Sequence, residues 1–456
     1  MHTSPPAPFF PDFAAFQRHL DARGMFRINP GLERIAGLLK RLGLTRPPFV
    51  AVQVVGTNGK GSTSTMLAAL AQAHGLKVGL YTSPHLVSVR ERIRVNGVMA
   101  SETMLLRGLE PIMAAGGAES TYFELLTALA IQVFVDEGVD LAVLESGLGG
   151  TWDAVTAVDA DLTLVTPIDL DHAHILGPTV ADIARDKAGA VRPGVPVLSG
   201  PQRPEAASAL AKASREKGSP LGMTTDEPWP VGFLPTDLGL AGPHQADNAR
   251  LALAAWRALG AREDLRRKLD WIFPDAAAEG KALRAARIPG RLQRTAPCSP
   301  AKMEEGAFVP CALGRPALIL DGAHNPHGMA ALGRALALEG VAPAATVFAC
   351  MADKDVDDLI AHVRVAAVGG PIIVPRLADN ERAMPAEELA ARIGLNAEAA
   401  PSVREALRLV AEVAAERLPE SFVEPETRHP VLVCGSLYLL GEVFALWPDL
   451  LEPVTR

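Results

Sequence analysis

Short apolar runs rich in β-branched residues alternate along this chain with longer stretches whose apolar positions recur every three or four residues. The runs predict strands at 49–55, 77–81, 140–145 and 161–166, and the periodic stretches predict helices at 62–74, 121–137, 179–190, 204–217 and 245–260. The alternation resumes with strands 316–320, 345–349, 371–374 and 430–434 and helices 326–338, 354–366, 385–393, 402–416 and 436–447. Such alternation predicts an α/β fold with mostly parallel sheets covered on both faces. Residues 1–48 read as a helical lead-in ending at Arg46-Pro47-Pro48. Between 287 and 315 the periodicity fails, and Pro289-Gly290, Pro297, Pro300 and Gly306 read as a linker. A boundary near 296 divides the chain into domains 1–295 and 296–456, and the Ala- and Glu-rich stretch 396–418 reads as a solvated helix.

With 456 residues, 48% hydrophobic and only 5% aromatic, the chain is long enough for two or three domains with aliphatic cores. The net charge of −8 argues against a general nucleic-acid binder, which needs a basic field. Cys298, Cys311, Cys350 and Cys434 form no C-x-x-C pair and read as free thiols of a reducing compartment. Met1-His2-Thr3-Ser4-Pro5-Pro6 does not resemble a signal peptide, and no apolar run reaches the length of a membrane span. The expectation is a cytoplasmic monomer with no membrane or nucleic-acid partner.

The strongest chemical signal is Val52-Gln53-Val54-Val55-Gly56-Thr57-Asn58-Gly59-Lys60-Gly61-Ser62-Thr63. A strand ends in a glycine-rich turn, and a lysine and hydroxyls then open a helix. Backbone amides, a helix N-terminus and a lysine converge on one place, as a nucleotide phosphate requires. Gly61 stands between the lysine and the hydroxyl, a departure from the common Walker form.

Further clusters fall where strands end, the place where open parallel sheets bind ligands. Ser83 in Tyr81-Thr82-Ser83-Pro84-His85-Leu86 can bind metal or phosphate, or simply cap a turn. Glu145 closes a strand before Ser146-Gly147-Leu148-Gly149-Gly150, and a carboxylate beside a phosphate loop suits Mg²⁺. In Asp169-Leu170-Asp171-His172-Ala173-His174 either histidine can ligate metal. Lys187 in Asp186-Lys187-Ala188-Gly189 also suits an ordinary helix C-terminus. Asp321 in Leu320-Asp321-Gly322-Ala323-His324-Asn325-Pro326 can hold a ribose hydroxyl or a ligand amine, and His324 a phosphate or base. Arg291, after Gly290, can reach a γ-phosphate or a carboxylate.

Taken in order, these segments resemble the folylpolyglutamate synthase / dihydrofolate synthase family of the Mur ligase superfamily, over nearly the whole chain. The resemblance rests on Gly56–Ser62, Ser83-Pro84-His85-Leu86 with the following 87–97, Glu145–Gly150 with Trp152-Asp153-Ala154, and Asp171-His172 with Leu176-Gly177. It continues through Lys187-Ala188-Gly189, His244-Gln245 with Asn248, Gly290-Arg291 with Gln293, and Asp321–Pro326. It implies a P-loop, mostly parallel-sheet ATPase domain followed by a smaller Rossmann-like α/β domain.

The resemblance also implies roles. Thr57, Asn58, Gly59, Lys60, Gly61 and Ser62 would hold ATP phosphates, with Asn248, Arg291 and Asp321 as further ATP contacts. Ser83, Glu145 and His172 match the family's magnesium ligands, which selects His172 over His174. Lys187 matches a lysine carried as a carbamate, an anion suited to face two Mg²⁺ ions. Thr121-Tyr122-Phe123-Glu124 and Trp152-Asp153-Ala154 match segments that cradle the pterin. Lys60, Lys187 and His324 are the expected catalytic residues. Val155-Thr156 replaces the family's Thr-Asn pair, Thr151 an arginine, and Ile175 an aromatic residue. The implied activity is ATP-dependent addition of L-glutamate to dihydropteroate, reduced folates or both, through an acyl phosphate. One alternative is a Mur-type peptidoglycan-precursor ligase, which predicts a UDP-sugar domain before the loop; the roughly 50 residues there argue against it. A P-loop NTPase module without ligase activity is the other alternative.

Overall fold

The computed structural model describes residues 9–25, 29–225, 227–268, 275–297, 315–378, 380–416 and 429–451. Cys298, Cys311 and the punctuated stretch 298–314 lie outside the described residues. The chain forms two compact units. The first takes residues up to 169, 173–238 and 247–286; the second takes 170–172, 239–246 and 287 onward.

The first unit is built on eight strands: β1 (Val50–Val55), β2 (Val78–Tyr81), β3 (Ile93–Val95), β4 (Val98–Met99), β5 (Leu141–Glu145), β6 (Leu162–Val165), β7 (Val197–Ser199) and β8 (Leu221–Met223). Their order is β4-β3-β2-β5-β1-β6-β7-β8. The β2–β3 and β3–β4 pairs are antiparallel and the rest parallel. Every residue of β1 is buried, as expected of a central strand covered on both faces. The β3–β4 hairpin and the helix Glu102–Ala114 were not among the elements expected from sequence.

Helix Tyr122–Asp136 starts from a reciprocal capping box, Thr121 with Glu124. Its apolar side packs into a core with Phe16, Leu38, Leu39 and Leu129. A second cluster on helices Val180–Lys187 and Pro204–Glu216 includes Val55 and Val165.

The second unit contains β9 (Gln293–Thr295), β10 (Leu318–Leu320), β11 (Ala345–Phe348), β12 (Ile372–Pro375), β13 (Ala397–Ala400) and β14 (Val431–Cys434). Its order is β13-β12-β11-β14-β10-β9. Only β9 runs antiparallel. The described part of the segment read as a linker thus supplies a sheet edge. The stretch 396–418 is likewise corrected. Ala397–Ala400 is a strand, and the helix Val403–Glu416 buries Val403, Ala406, Leu407 and Val410. Its charged positions hid an amphipathic face. Cys350 and Cys434 are buried in this unit as free thiols, and burial pushes the Cys350 thiol up to about 12. Among the described residues no helix is long and apolar enough to cross a membrane.

Candidate active site

β1 delivers its chain end to the turn Gly56–Gly59, and helix Lys60–Ala73 starts at once. Gly59 has φ +88°, and a Cβ there would lie 2.3 Å from Asn248 Oδ1, so any side chain at this turn is strained and must displace Asn248. The amides of Thr57 and Asn58 donate to Pro167 O at 3.0 and 3.3 Å and fix the turn against the end of β6. Helix geometry leaves the amides of Lys60, Gly61 and Ser62 without intrahelical acceptors, the donors an anion needs. Lys60 Nζ folds back onto Gly56 O (3.2 Å) and Thr57 O (3.1 Å). Lys187, buried at the end of helix Val180–Lys187, donates its Nζ to the same Gly56 carbonyl at 2.8 Å. Thr57 Oγ1 is held between Asp169 N and Asp169 O, both at 3.1 Å. The loop residues, Asn248 and Lys187 therefore meet in the first unit.

Glu145 is the buried last residue of β5, between β1 and β2. The register pairs Val54 with Glu145 and Tyr81 with Leu144, which brings the segment after β2 alongside. Ser83 N donates to Glu145 Oε2 at 3.1 Å. Two of the expected magnesium ligands are thus adjacent. Among the described residues no group of three or more His, Cys, Asp or Glu side chains could hold a metal. A single buried carboxylate at a strand end fits Mg²⁺, which usually takes one or two protein carboxylates and completes its shell with phosphates and water.

The turn after Glu145 is held by carboxylates. Asp153 Oδ2 accepts from Gly147 N (2.8 Å) and Leu148 N (2.9 Å), and Oδ1 accepts from Val155 N (3.0 Å). Burial pushes Asp153 up to about 6, against the opposing pull of these backbone donors. Asp186 Oδ2 accepts from Gly150 N at 2.9 Å. A Cβ on Gly150 would lie 2.5 Å from Lys187 O, so the turn and the lysine's helix end touch backbone to backbone.

The two segments matched to the pterin cradle divide by accessibility. Trp152 is 62% exposed, and the Phe123 ring lies over Gly147. Tyr122, Glu124, Asp153 and Ala154 are buried. Glu124 is fully employed: Oε2 accepts from Thr121 N (2.8 Å), and Arg34 forks onto both oxygens at 3.0 and 3.3 Å. Arg92 lies over the Tyr122 ring at 5.6 Å and donates its Nε to His85 Nδ1 at 2.8 Å. Burial, helped by Arg92, lowers His85 to about 3, so the ring is a neutral acceptor.

The remaining expected residues belong to the second unit. Asp321 accepts from Leu292 N and Ala323 N, both at 2.8 Å, and burial raises its pKa although Arg291 is near. His324 Nδ1 meets Gly322 O at 2.7 Å, and burial lowers its pKa against the attraction of Asp171. His172 has φ +52°, and its amide donates to Asp171 Oδ1 at 2.8 Å. Asp171 also pairs with Lys354 and accepts from Asn325 Nδ2 at 3.1 Å. Burial favours its neutral form, but His172, Lys354 and His324 together hold its pKa well below the carboxylate range. Lys354, Arg34, Asp186 and Gln53 were missed in the sequence. Only Asp186 carried a signal, its place beside Lys187.

A parallel sheet with this phosphate loop, followed by a second α/β unit, defines a Mur-type ATP-dependent ligase. Residues 308–436 match the family described as Mur ligase, glutamate ligase domain. The Escherichia coli dihydrofolate synthase/folylpolyglutamate synthase is 33% identical over 91% of this chain and 91% of its own length. A probable bifunctional folylpolyglutamate synthase/dihydropteroate synthase of Halobacterium salinarum is 34% identical over 92% of this chain, which spans only 50% of that longer protein. The E. coli FolC structure in complex with DHPP and ADP superposes with a TM-score of 0.77 at 29% identity, covering 98% of this chain and 99% of that one. A Yersinia pestis bifunctional folylpolyglutamate synthase/dihydrofolate synthase complexed with AMPPNP and Mn ion gives 0.75 at 29% identity, covering 97% and 99%. The chain belongs to the folylpolyglutamate synthase/dihydrofolate synthase family.

Proposed function

We propose that this protein uses ATP to join L-glutamate, through an amide bond, to the carboxylate of dihydropteroate, a reduced folate or both. The observation that carries the reading is the convergence of Lys60 and Lys187 on the Gly56 carbonyl, beside a strand end where Glu145 meets Ser83. A carboxylate is a poor electrophile and must be activated. Its oxygen attacks the γ-phosphorus of ATP, and ADP leaves. The glutamate nitrogen then attacks the acyl carbon, phosphate leaves, and the amine proton passes to solvent.

Lys60 and the amides of Lys60, Gly61 and Ser62 bind and orient the phosphates, and Asn248 lies against the loop at Gly59. Ser83, Glu145, His172 and a carbamate on Lys187 are the proposed holders of divalent metal, two ions in all. Bound metal would neutralise charge on the transferring phosphoryl group. Carbamylation replaces a buried ammonium by an anion, which removes repulsion between Lys187 and metal. Thr121, Phe123 and Trp152 present surface to the pteridine, while Tyr122, Glu124, Asp153 and Ala154 support them from within. In the second unit, Arg291 and Asp321 are proposed nucleotide contacts and His324 a catalytic aid. A test is substrate labelled with oxygen-18 in its carboxylate. The acyl-phosphate route moves label into released phosphate, and unlabelled phosphate alongside amide product contradicts it.

A further inference from the structure

Gln53 is the one polar residue of β1, between Val52 and Val54 in the centre of the sheet, and it has no solvent exposure. An aliphatic side chain would suit such a site, because burying an amide costs desolvation. The cost here is increased, since Gln53 Oε1 is buried without a hydrogen-bond partner among the described residues.

Its Nε2 is fully used. It donates to Thr156 Oγ1 at 2.8 Å and to Ser146 Oγ at 3.2 Å. Thr156 Oγ1 in turn donates to Gly150 O at 2.8 Å. The two ends of the turn Ser146–Gly150 are therefore tied, one directly and one through Thr156, to a single carboxamide. That carboxamide rides on the strand that ends at the phosphate loop. The turn begins beside Glu145, passes under the Phe123 ring at Gly147 and leads to Trp152.

We propose that Gln53 is a positioning residue for the folate substrate. Through Ser146 and Thr156 it sets the turn on which the pteridine rests at a fixed distance from the loop that binds ATP. This rests on the ligase reading above. Position 156, where this chain carries threonine, is part of the device: its hydroxyl is the relay from Gln53 to Gly150.

The test compares full-length Q53L, T156V, T156S and Q53L/T156V with the parent protein, measuring KM for dihydropteroate or tetrahydrofolate and for ATP separately. Q53L and T156V should each raise the pteridine KM about fivefold or more while the ATP KM stays within about twofold. T156S, which keeps the hydroxyl, should recover the parent KM. The double variant should be no worse than the more affected single one, because both remove one linked network. A pteridine KM within about twofold of the parent in both single variants, equal rises in both KM values, or multiplying losses in the double variant overturns the proposal. If Q53L does not fold, T156V against T156S decides in the same way. Parent protein that makes product while the folded single variants keep its pteridine KM sinks this inference alone. Parent protein that makes no amide product sinks the ligase reading, and this inference with it.

Discussion

Lys187 Nζ donates to Gly56 O at 2.8 Å, so a buried amine is seated on the phosphate loop itself. Lys187 lies 131 positions from Gly56 in the chain. The contact makes Lys187 part of the loop's electrostatics in whichever form it takes. Lys187→Ala should reduce glutamate-dependent ATP turnover by at least ~10²-fold, the range seen for loss of one preorganised electrostatic group. If the working form is a carbamate, added formate or acetate should restore part of the rate. Turnover at the parent level in Lys187→Ala removes Lys187 from the machinery, and loss without rescue by either acid argues against the carbamate.

Lys60 holds two loop carbonyls rather than a core contact. Lys60→Ala should therefore abolish measurable ATP turnover, by ~10²-fold or more, with little change in melting temperature. A folded variant that still turns over ATP at the parent rate contradicts the phosphate-loop assignment.

Asp153 gives a pH signature. Its carboxyl ionises at about 6 in the folded chain because burial disfavours the charge, against an ordinary value of 3.8. Between these values the unfolded chain has released the proton and the folded chain retains it. Its contribution to stability is complete below the ordinary value, declines as pH rises towards 6, and is flat above. Denaturant titrations of parent and Asp153→Asn at several pH values should give a difference that falls across this window. The variant should also be less stable at neutral pH by about 1–3 kcal/mol, since an amide nitrogen would face the Gly147 or Leu148 N–H. A pH-independent difference contradicts the raised ionisation.

Arg34 and Glu124 join the segment before β1 to the start of helix Tyr122–Asp136, with side chains 27% and 6% exposed. Arg34→Ala leaves the buried Glu124 carboxylate with the Thr121 N–H as its one remaining hydrogen-bond donor among the described residues. Discounting for the partly solvated arginine, a loss of about 1–3 kcal/mol is expected in equilibrium unfolding. The same variant should raise the pteridine KM more than the ATP KM. Unchanged stability would mean the pair contributes nothing net.

The loop was legible in sequence because its chemistry is local: strand, glycine turn, lysine and helix are contiguous from Val50 to Ala73. The alternation that gave the parallel sheets is local in the same sense. Tertiary placement was not legible. Lys354 and Asp171 lie 183 positions apart and nothing near either predicts the pair. Glu124 and Asp153 stand in the segments matched to the pterin cradle, and nothing in the sequence shows that Arg34, 90 positions from Glu124, pairs with it, or that Asp153 accepts from Gly147 N and Leu148 N. The strand Ala397–Ala400 escaped notice because alanine and glutamate favour helix, and parallel pairing with β12 overrides that preference. The sequence places Gln53 inside an apolar strand, and only the folded chain puts its carboxamide between Ser146 and Thr156.

Glutamate ligation shows itself most plainly in the mass of the product. Purified protein is incubated with ATP, Mg²⁺ and L-glutamate, with dihydropteroate and tetrahydrofolate supplied in separate reactions. Mass spectrometry should find the pteridine substrate enlarged by one glutamyl residue in at least one reaction, with ADP released in equal amount and only when glutamate is present. ADP release indifferent to glutamate, with both pteridines recovered unchanged, would contradict it.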